Sequence, residues 1–371
     1  MTLALNAILT PKPLATTVAV EPVYNILNSM AVMSLLDENP GVSSWLVETR
    51  DSMKPFELEH LRLVFWGFGL EGLVNAVEHG AATENFPAYL KALRSLDANA
   101  LRDSLLYWLA HSPHLHLNPE APECPIPDLA RLLEDRAYYV DFLRARNFKV
   151  LDKSVIQRTF ELFNDPPELQ DFIVKQLMYF WSRHFSREWA RVHPILEAST
   201  ALSQIDTSGL PFFEAAQAIT GRDLRTLFDA DALMTFREIR FIPSRHNGPY
   251  IVYFGDDETL NITFGARTPA GTQSGRSSLD NAELLRRLDA LADETRLEIL
   301  RTLKERGELG TAEIMDIFDL NKSAASRHLK LLRANELITE RREADNKTKF
   351  YSINAEHFGE TIRTLETLFI E

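Results

Sequence analysis

The sequence predicts a mainly α protein with small β elements: a helical N-terminal domain carrying a short antiparallel sheet, then a C-terminal helical module closed by a hairpin. Three observations predict it. From about Glu21 to Gln204 apolar residues recur at three- and four-residue spacing; between Met234 and Gly265 the period falls to two; after residue 281, short amphipathic helices lead into a basic helix and a polar-tipped hairpin.

Each segment has its own signature. Residues 1–20 read as an N-terminal arm. Residues 21–265 read as one mostly helical domain, in which EPVYNILNSMAVMSLL and KPFELEHLRLVFWGFGLEGLVNAVEHG are amphipathic or wholly apolar and SPHLHLNPEAPECPIPD and NDPPE are breaks. Near its end FREIRFI, PYIVYFG and LNITFG, with SRHNG and DDE between them, read as three strands near 235–265 of an antiparallel sheet. Residues 266–280, ARTPAGTQSGRSSLD, lack large apolar side chains and read as a linker. Residues 281–371 give two helices, a short third (TAEIMDIFDL), a basic fourth (NKSAASRHLKLLRA), two strands around a polar turn and a closing helix.

Composition bounds the function. The 371 residues are 45% hydrophobic, ample for more than one core. A formal charge of -13 excludes a broad polyanion binder, so any nucleic-acid contact must be local. Residues 320–350 carry eight basic side chains against four acidic ones. Cys124 is the single cysteine, which excludes an intramolecular disulfide framework and suits a reducing compartment. No basic start leads into an unbroken apolar run and no window reaches 18 uninterrupted apolar residues, so a cytoplasmic chain with no membrane partner is expected.

The chemistry gathers in the basic helix. With Asn321 as its cap, Ala325, Leu329 and Leu332 share one face, while Lys322, Ser323, Ser326, Arg327 and Lys330 fall outward. A short helix, a tight turn and such a helix have the spacing of a helix-turn-helix, whose second helix enters the major groove with its N-terminal residues at the base edges. Ser323 and Ser326 suit base edges, and Arg327 suits bases or phosphates. The hairpin then reads as a wing, with Arg341, Arg342, Lys347 and Lys349 bracketing Asp345 and Asn346. An isolated basic helix is usually a solvated face; the succession of elements favours DNA. The module is therefore read as a winged helix-turn-helix.

The stretch LDALADETRLEILRTLKERGELGTAEIMDIFDLNKSAASRHLKLLRANELITERREADNKTKFYSI resembles the corresponding domain of ArsR-type transcriptional regulators. The resemblance covers residues 285–370. It implies that the SRHLK helix is the recognition helix, with Ser323, Ser326, Arg327 and His328 at or near DNA, that Leu303 and Phe369 are nearer to structural positions, and that the protein is a homodimer joined by the first and last helices of the domain. Metal-sensing members carry sensor cysteines in the short third helix; here that segment, Thr311 to Ile317, has no thiol, so no soft-metal site and no cofactor are expected. His357 and Glu360, at i and i+3, read as solvated helix surface.

Residues 180–199 and REIRFIPSRHNGPYIVYFG resemble an uncharacterised N-terminal domain that accompanies some ArsR-type regulators. His111, His114 and His116 near Cys124 read as loop histidines rather than metal ligands, and no HExxH, P-loop, dinucleotide fingerprint or GxSxG is present. No catalysis is expected. Arg183, Arg187 and Arg191 recur at four-residue spacing, more simply as charge pairing in an acidic protein than as an anion site. The aromatic content allows an apolar effector cavity.

These readings converge on a homodimeric, sequence-specific regulator of transcription, a repressor by expectation. Its partners would be a double-stranded DNA operator, an inverted repeat with half-sites about one helical turn apart, and a small-molecule effector at the N-terminal domain. Two alternatives remain: a winged helix used only for protein assembly, and an N-terminal enzyme fused to a DNA-binding domain.

Overall fold

The computed structural model describes residues 15–36, 39–111, 126–145, 153–203, 210–266 apart from 226, 229 and 257, 281–342 and 348–369. All of the 266–280 linker except Ala266 lies outside the described residues, as do His114, His116, Cys124 and the wing tip from 343 to 347.

The architecture is mostly helical with two small sheets. The helices are α1 (Pro22–Ser34), α2 (Ser44–Asp51), α3 (Pro55–Arg62), α4 (Leu70–Asn75), α5 (Phe86–Ser95), α6 (Ala98–His111), α7 (Leu129–Glu134), α8 (Arg136–Ala145), α9 (Lys153–Phe163), α10 (Pro166–Phe180), α11 (Ser186–Ser203), α12 (Phe212–Thr220), α13 (Ala230–Leu233), α14 (Asn281–Leu291), α15 (Glu294–Arg306), α16 (Thr311–Ile317), α17 (Lys322–Ala334) and α18 (Ala355–Phe369). The strands are β1 (Ala15–Val18), β2 (Glu238–Ser244), β3 (Val252–Gly255), β4 (Thr259–Gly265), β5 (Glu308–Gly310), β6 (Ile338–Arg342) and β7 (Lys349–Ile353).

The N-terminal region is organised around α1. This helix is apolar on most of its circumference and buried on all sides, with Leu27, Met30 and Met33 wholly inaccessible, as expected of a helix surrounded by others. Helices α3 to α6 and α8 to α10 pack their apolar stripes into the same core. Their starts are written in the sequence. Asn85 accepts from Ala88 N (2.9 Å), and the NDPPE break is a cap in which Asp165 accepts from Glu168 N (3.1 Å) while Pro166 occupies the first helical position. A π-helical turn, Trp181–Phe185, joins α10 to α11, so the α period that would align Arg183 with Arg187 and Arg191 is interrupted between them.

The strands near 235–265 share one sheet, but its pairing is mixed. The order is β1-β2-β4-β3; β3 and β4 are antiparallel as expected, whereas β2 runs parallel to β4, with Glu238 opposite Thr259. Burial explains the order. TLNITFG in β4 is buried along nearly its whole length and takes a central place, while the half-exposed β3 takes an edge. The residues read as an arm include β1, which pairs parallel to β2 at the other edge, Ala15 opposite Glu238.

The C-terminal unit packs α14 to α18 with the antiparallel sheet β5-β7-β6 around Leu300, Leu303, Ile314, Leu329 and Leu332. Arg287, 2% exposed, ties the unit's first helix to its last. It donates to Glu283 (2.9 Å), Glu360 (3.0 Å), the carbonyl of His357 (3.0 Å) and Thr361 Oγ1 (3.1 Å). His357 Nδ1 lies 3.0 Å from Glu336, which raises the imidazole above its ordinary value of 6.5.

Removing one partner of such a buried cluster leaves uncompensated charge. Arg287→Ala is expected to cost about 3 kcal/mol or more, read by chemical denaturation. Because the folded state raises the His357 pKa, its contribution is complete below the unfolded value of 6.5 and is lost as pH rises through the higher folded value. His357→Gln should therefore flatten the decline of melting temperature between about pH 6 and pH 8.

Candidate nucleic-acid interface

The local sequence builds the helix-turn-helix directly. Glu313 reaches back to the N–H of Gly310 (2.7 Å) to start α16, and Asp319, with φ of 50°, turns the chain sharply before α17. Asn321 then caps α17 by accepting from Ala324 N at 2.9 Å. Ala325, Leu329 and Leu332 are buried against α15 and the sheet, the face expected from the periodicity.

The first two turns of α17 present Lys322, Ser323, Ser326 and Arg327 to solvent. Neither Lys322 nor Arg327 has an ion-pair partner among the described residues. The hairpin cations differ: Arg341 forms a fork on Glu308 (2.7 and 3.0 Å) and lies over the Phe350 ring, and Lys349 pairs with Glu340 at 2.7 Å. Lys347 and the side chain of Arg342 lie outside the described residues. His328 is half-buried; burial lowers its pKa against the pull of Asp293, 3.7 Å away.

Lys330 departs from the outward face on which the sequence set it. Its ammonium donates to Asn39 Oδ1 (2.7 Å) and lies 5.3 Å from the Tyr250 ring centroid, both in the N-terminal region. Arg222 donates to the carbonyls of Pro249 (2.6 Å) and Ala334, the latter at the C-terminus of α17, where a cation also complements the helix dipole. Leu331 presses on Gly41, where a Cβ would lie 2.6 Å from Leu331 Cδ1. Helical periodicity says which residues share a face but not that another part of the chain covers it.

Behind this contact three backbone segments cross at glycines. A Cβ on Gly248, whose φ is 58°, would stand 2.3 Å from the carbonyl oxygen of Gly41, and one on Gly265 would stand 2.8 Å from that of Gly248. The β2–β3 connection, read only as a turn from SRHNG, also carries a buried polar relay. His246 Nε2 lies 3.0 Å from Glu188, and its Nδ1 lies 2.8 Å from Ser29 Oγ. Burial pushes His246 down. Burial also pushes the Glu188 carboxyl up, but hydrogen bonds from His246 and Arg191 outweigh it and hold that group below the ordinary carboxylate range. A neutral imidazole donates through Nε2 to Glu188; Ser29 Oγ also lies 2.6 Å from the Asn25 carbonyl, so its single proton goes either there or to Nδ1. Beside it, Asn28 donates to Asn247 Oδ1 (2.6 Å) and Asn247 donates to Thr263 Oγ1 (2.8 Å).

Among the described residues no group of three His, Cys, Asp or Glu side chains converges as a metal-ligand set. His357 and Glu360 are partly exposed and pair with Glu336 and Arg287 respectively. Among the described residues no helix is long and apolar enough to cross a membrane.

Residues 293–340 match the family model described as "Bacterial regulatory protein, arsR family". The chain is 38% identical over 79 residues to the arsenical resistance operon repressor of Bacillus subtilis (strain 168), a match covering 20% of this chain and 73% of that protein. The chain belongs to the ArsR family. It is also 36% identical over 84 residues to the transcriptional activator HlyU of Vibrio cholerae (23% of this chain, 75% of that protein) and 34% identical over 86 residues to an arsenical resistance operon repressor of Staphylococcus aureus (23% and 80%). These matches make it a transcription regulator with an ArsR-type C-terminal region. The N-terminal region is a distinct, uncharacterised helical unit of this ArsR-family protein.

The glycine crossing gives a direct check. Gly248→Ala must push backbone against backbone and should lower the melting temperature markedly. Gly307→Ala, with a similarly positive φ of 86° but nothing within 4 Å of the added carbon, should cost only the conformational strain.

Proposed function

We propose that the protein is a homodimer that binds a specific double-stranded DNA operator through α17 and the β6–β7 hairpin, and that its N-terminal region sets the posture of α17. The observation that carries this reading is the exposure of Lys322, Ser323, Ser326 and Arg327 on the first two turns of a helix whose other cations are engaged elsewhere. Unpaired cations at that end supply affinity and register, and the serines and Arg327 supply discrimination. Against a chain charge of -13, attraction for DNA depends on such local groups.

Dimerisation is read from an apolar strip on α14 and α18. Leu285 is 65% exposed, Ile362 52% and Phe369 80%, on the two helices that Arg287 ties together. Phe369 thus supports an intermolecular role better than a place in the core. Two like strips related by a two-fold axis would cover each other and set two α17 helices toward an inverted repeat. The similarity to two arsenical operon repressors favours repression; the similarity to an activator keeps the opposite sign as an outcome of the test. The chain would act in the cytoplasm, on the cell's DNA.

The N-terminal region is assigned a regulatory rather than a catalytic role. The Ser29–His246–Glu188 relay has a serine, an imidazole and a carboxylate in sequence, but all three are buried and the adjoining cavity of about 10 Å³ holds at most one water. A domain tie made by Asn39, Tyr250, Arg222 and Gly41 on the second half of α17 is what a regulatory unit needs in order to bias the first half.

The test is fluorescence anisotropy of the full chain on DNA from upstream of its own gene, with unrelated competitor and varied salt. Saturable, competitor-resistant binding is expected. Arg327→Ala should weaken it by about 1–3 kcal/mol, and Lys322→Ala should reduce the salt slope by about one. Lys330→Ala, whose ammonium is already taken by Asn39 and Tyr250, should leave that slope unchanged. Equal binding to competitor, or Arg327→Ala binding like the unsubstituted chain, would leave the assembly reading in its place.

A further inference from the structure

Between the N-terminal region and α14 lies an open cleft of about 730 Å³, within the range of small-molecule sites. Its floor is the crossing of Gly41, Gly248 and Gly265. One wall is the start of α2, with Ser43, Ser44 and Trp45; Arg191 and Arg245 form another, and Arg286 crosses from α14. Three guanidinium groups therefore face two carboxylates, Glu48 and Asp289, in a strongly acidic protein.

Arg245 is the informative residue. It is half-buried, yet it has no hydrogen bond or ion pair among the described residues, and its charge helps to hold the neighbouring His246 neutral. With no protein counter-charge beside it, this guanidinium keeps its donors available to an anion in the cleft. Arg191 adds a second donor. Its Nε and Nη2 are spent on Glu188 at 2.8 and 2.5 Å, leaving Nη1 without a partner among the described residues.

The cleft also has an apolar part. Trp45 stacks on His246, with centroids 5.1 Å apart and an interplanar angle of 27°, and so is fixed in place by the buried relay. Val42 and Val47 also line the cleft. We infer that this cleft binds a small organic anion, its carboxylate or phosphate on Arg245 and Arg191 and its apolar body against Trp45.

This inference rests on the regulatory reading only for its consequence. The loop that lines the cleft at Val42 and Ser43 also supplies Gly41 beneath Leu331 and Asn39 to Lys330. A ligand that shifts this loop changes the seat of α17, and the bound anion thereby alters the affinity for DNA.

The test uses the full chain without DNA. Tryptophan fluorescence and melting temperature are followed during titration with inorganic phosphate, citrate and phenylacetate, each against sodium chloride of equal ionic strength. At least one should give a saturable response, and comparison of the phosphate and carboxylate arms identifies the head group. Arg245→Ala should raise the half-saturating concentration about tenfold or more, the loss of one charge-assisted hydrogen bond. Arg245→Lys, which keeps the charge but not the fork, should fall between, and guards against a folding defect in the alanine variant. Trp45→Phe should remove the fluorescence change while leaving the melting shift, and Arg301→Ala, on the exposed face of α15, should respond like the unsubstituted chain. No saturable response to any of the three anions, or an undiminished response in a folded Arg245→Ala protein, overturns the site. Anisotropy on DNA run beside it with Arg327→Ala tests the DNA reading separately, since neither result depends on the other.

Discussion

The close approach of three backbone segments at Gly41, Gly248 and Gly265 is the constraint on which the functional arrangement depends. Side chains would hold these segments apart by several ångströms; without them, the loop after α1, the β2–β3 connection and the end of β4 meet carbonyl against Cα. That meeting fixes Trp45 over His246, sets the Asn28–Asn247–Thr263 relay, and brings the 39–44 loop to the back of α17. α17 is not held by its own unit alone, since Arg222 caps its carbonyl end at Ala334.

The charge distribution divides α17 lengthwise. Cations of its second half are engaged by Asn39, Tyr250 and Glu340, whereas those of the first two turns are not paired among the described residues. Ion-paired basic groups add less to nonspecific attraction for nucleic acid than unpaired ones do. The engaged hairpin cations Arg341 and Lys349 follow the same logic: a phosphate would have to displace Glu308 or Glu340 to reach them.

Much of the C-terminal unit was legible in the sequence because its information is local. Asn321 as a cap, the burial of Ala325, Leu329 and Leu332, and the exposure of Ser323, Ser326 and Arg327 all follow from neighbours within a few residues. The NDPPE cap and the apolar α1 are legible for the same reason. What escaped depends on distant partners. Lys330 lies on a polar stripe and reads as outward until Asn39, 291 positions earlier, is brought to it. The buried His246 hides in a stretch that reads as a turn, and Arg245 beside it has no periodic signal at all. Sheet order failed to show because alternation gives a strand its faces but not its neighbours; LNITF alternates Leu260, Ile262 and Phe264 with the polar Asn261 and Thr263, and nothing in that pattern marks β4 as buried on both faces.

That strand order also dictates when the molecule can become complete. β2 cannot pair with β4 until the chain has passed through β3 and turned back, and β1 finds its partner only after more than two hundred further residues have been made. Contacts so remote in sequence carry a large loop-closure cost and form late, so the N-terminal helices must collapse around α1 while the strand edge that receives β1 is still absent. The junction that seats α17 is assembled from that same late sheet. A chain made from its N-terminus therefore completes its first sheet only once β4 has been made, immediately before the C-terminal helices follow.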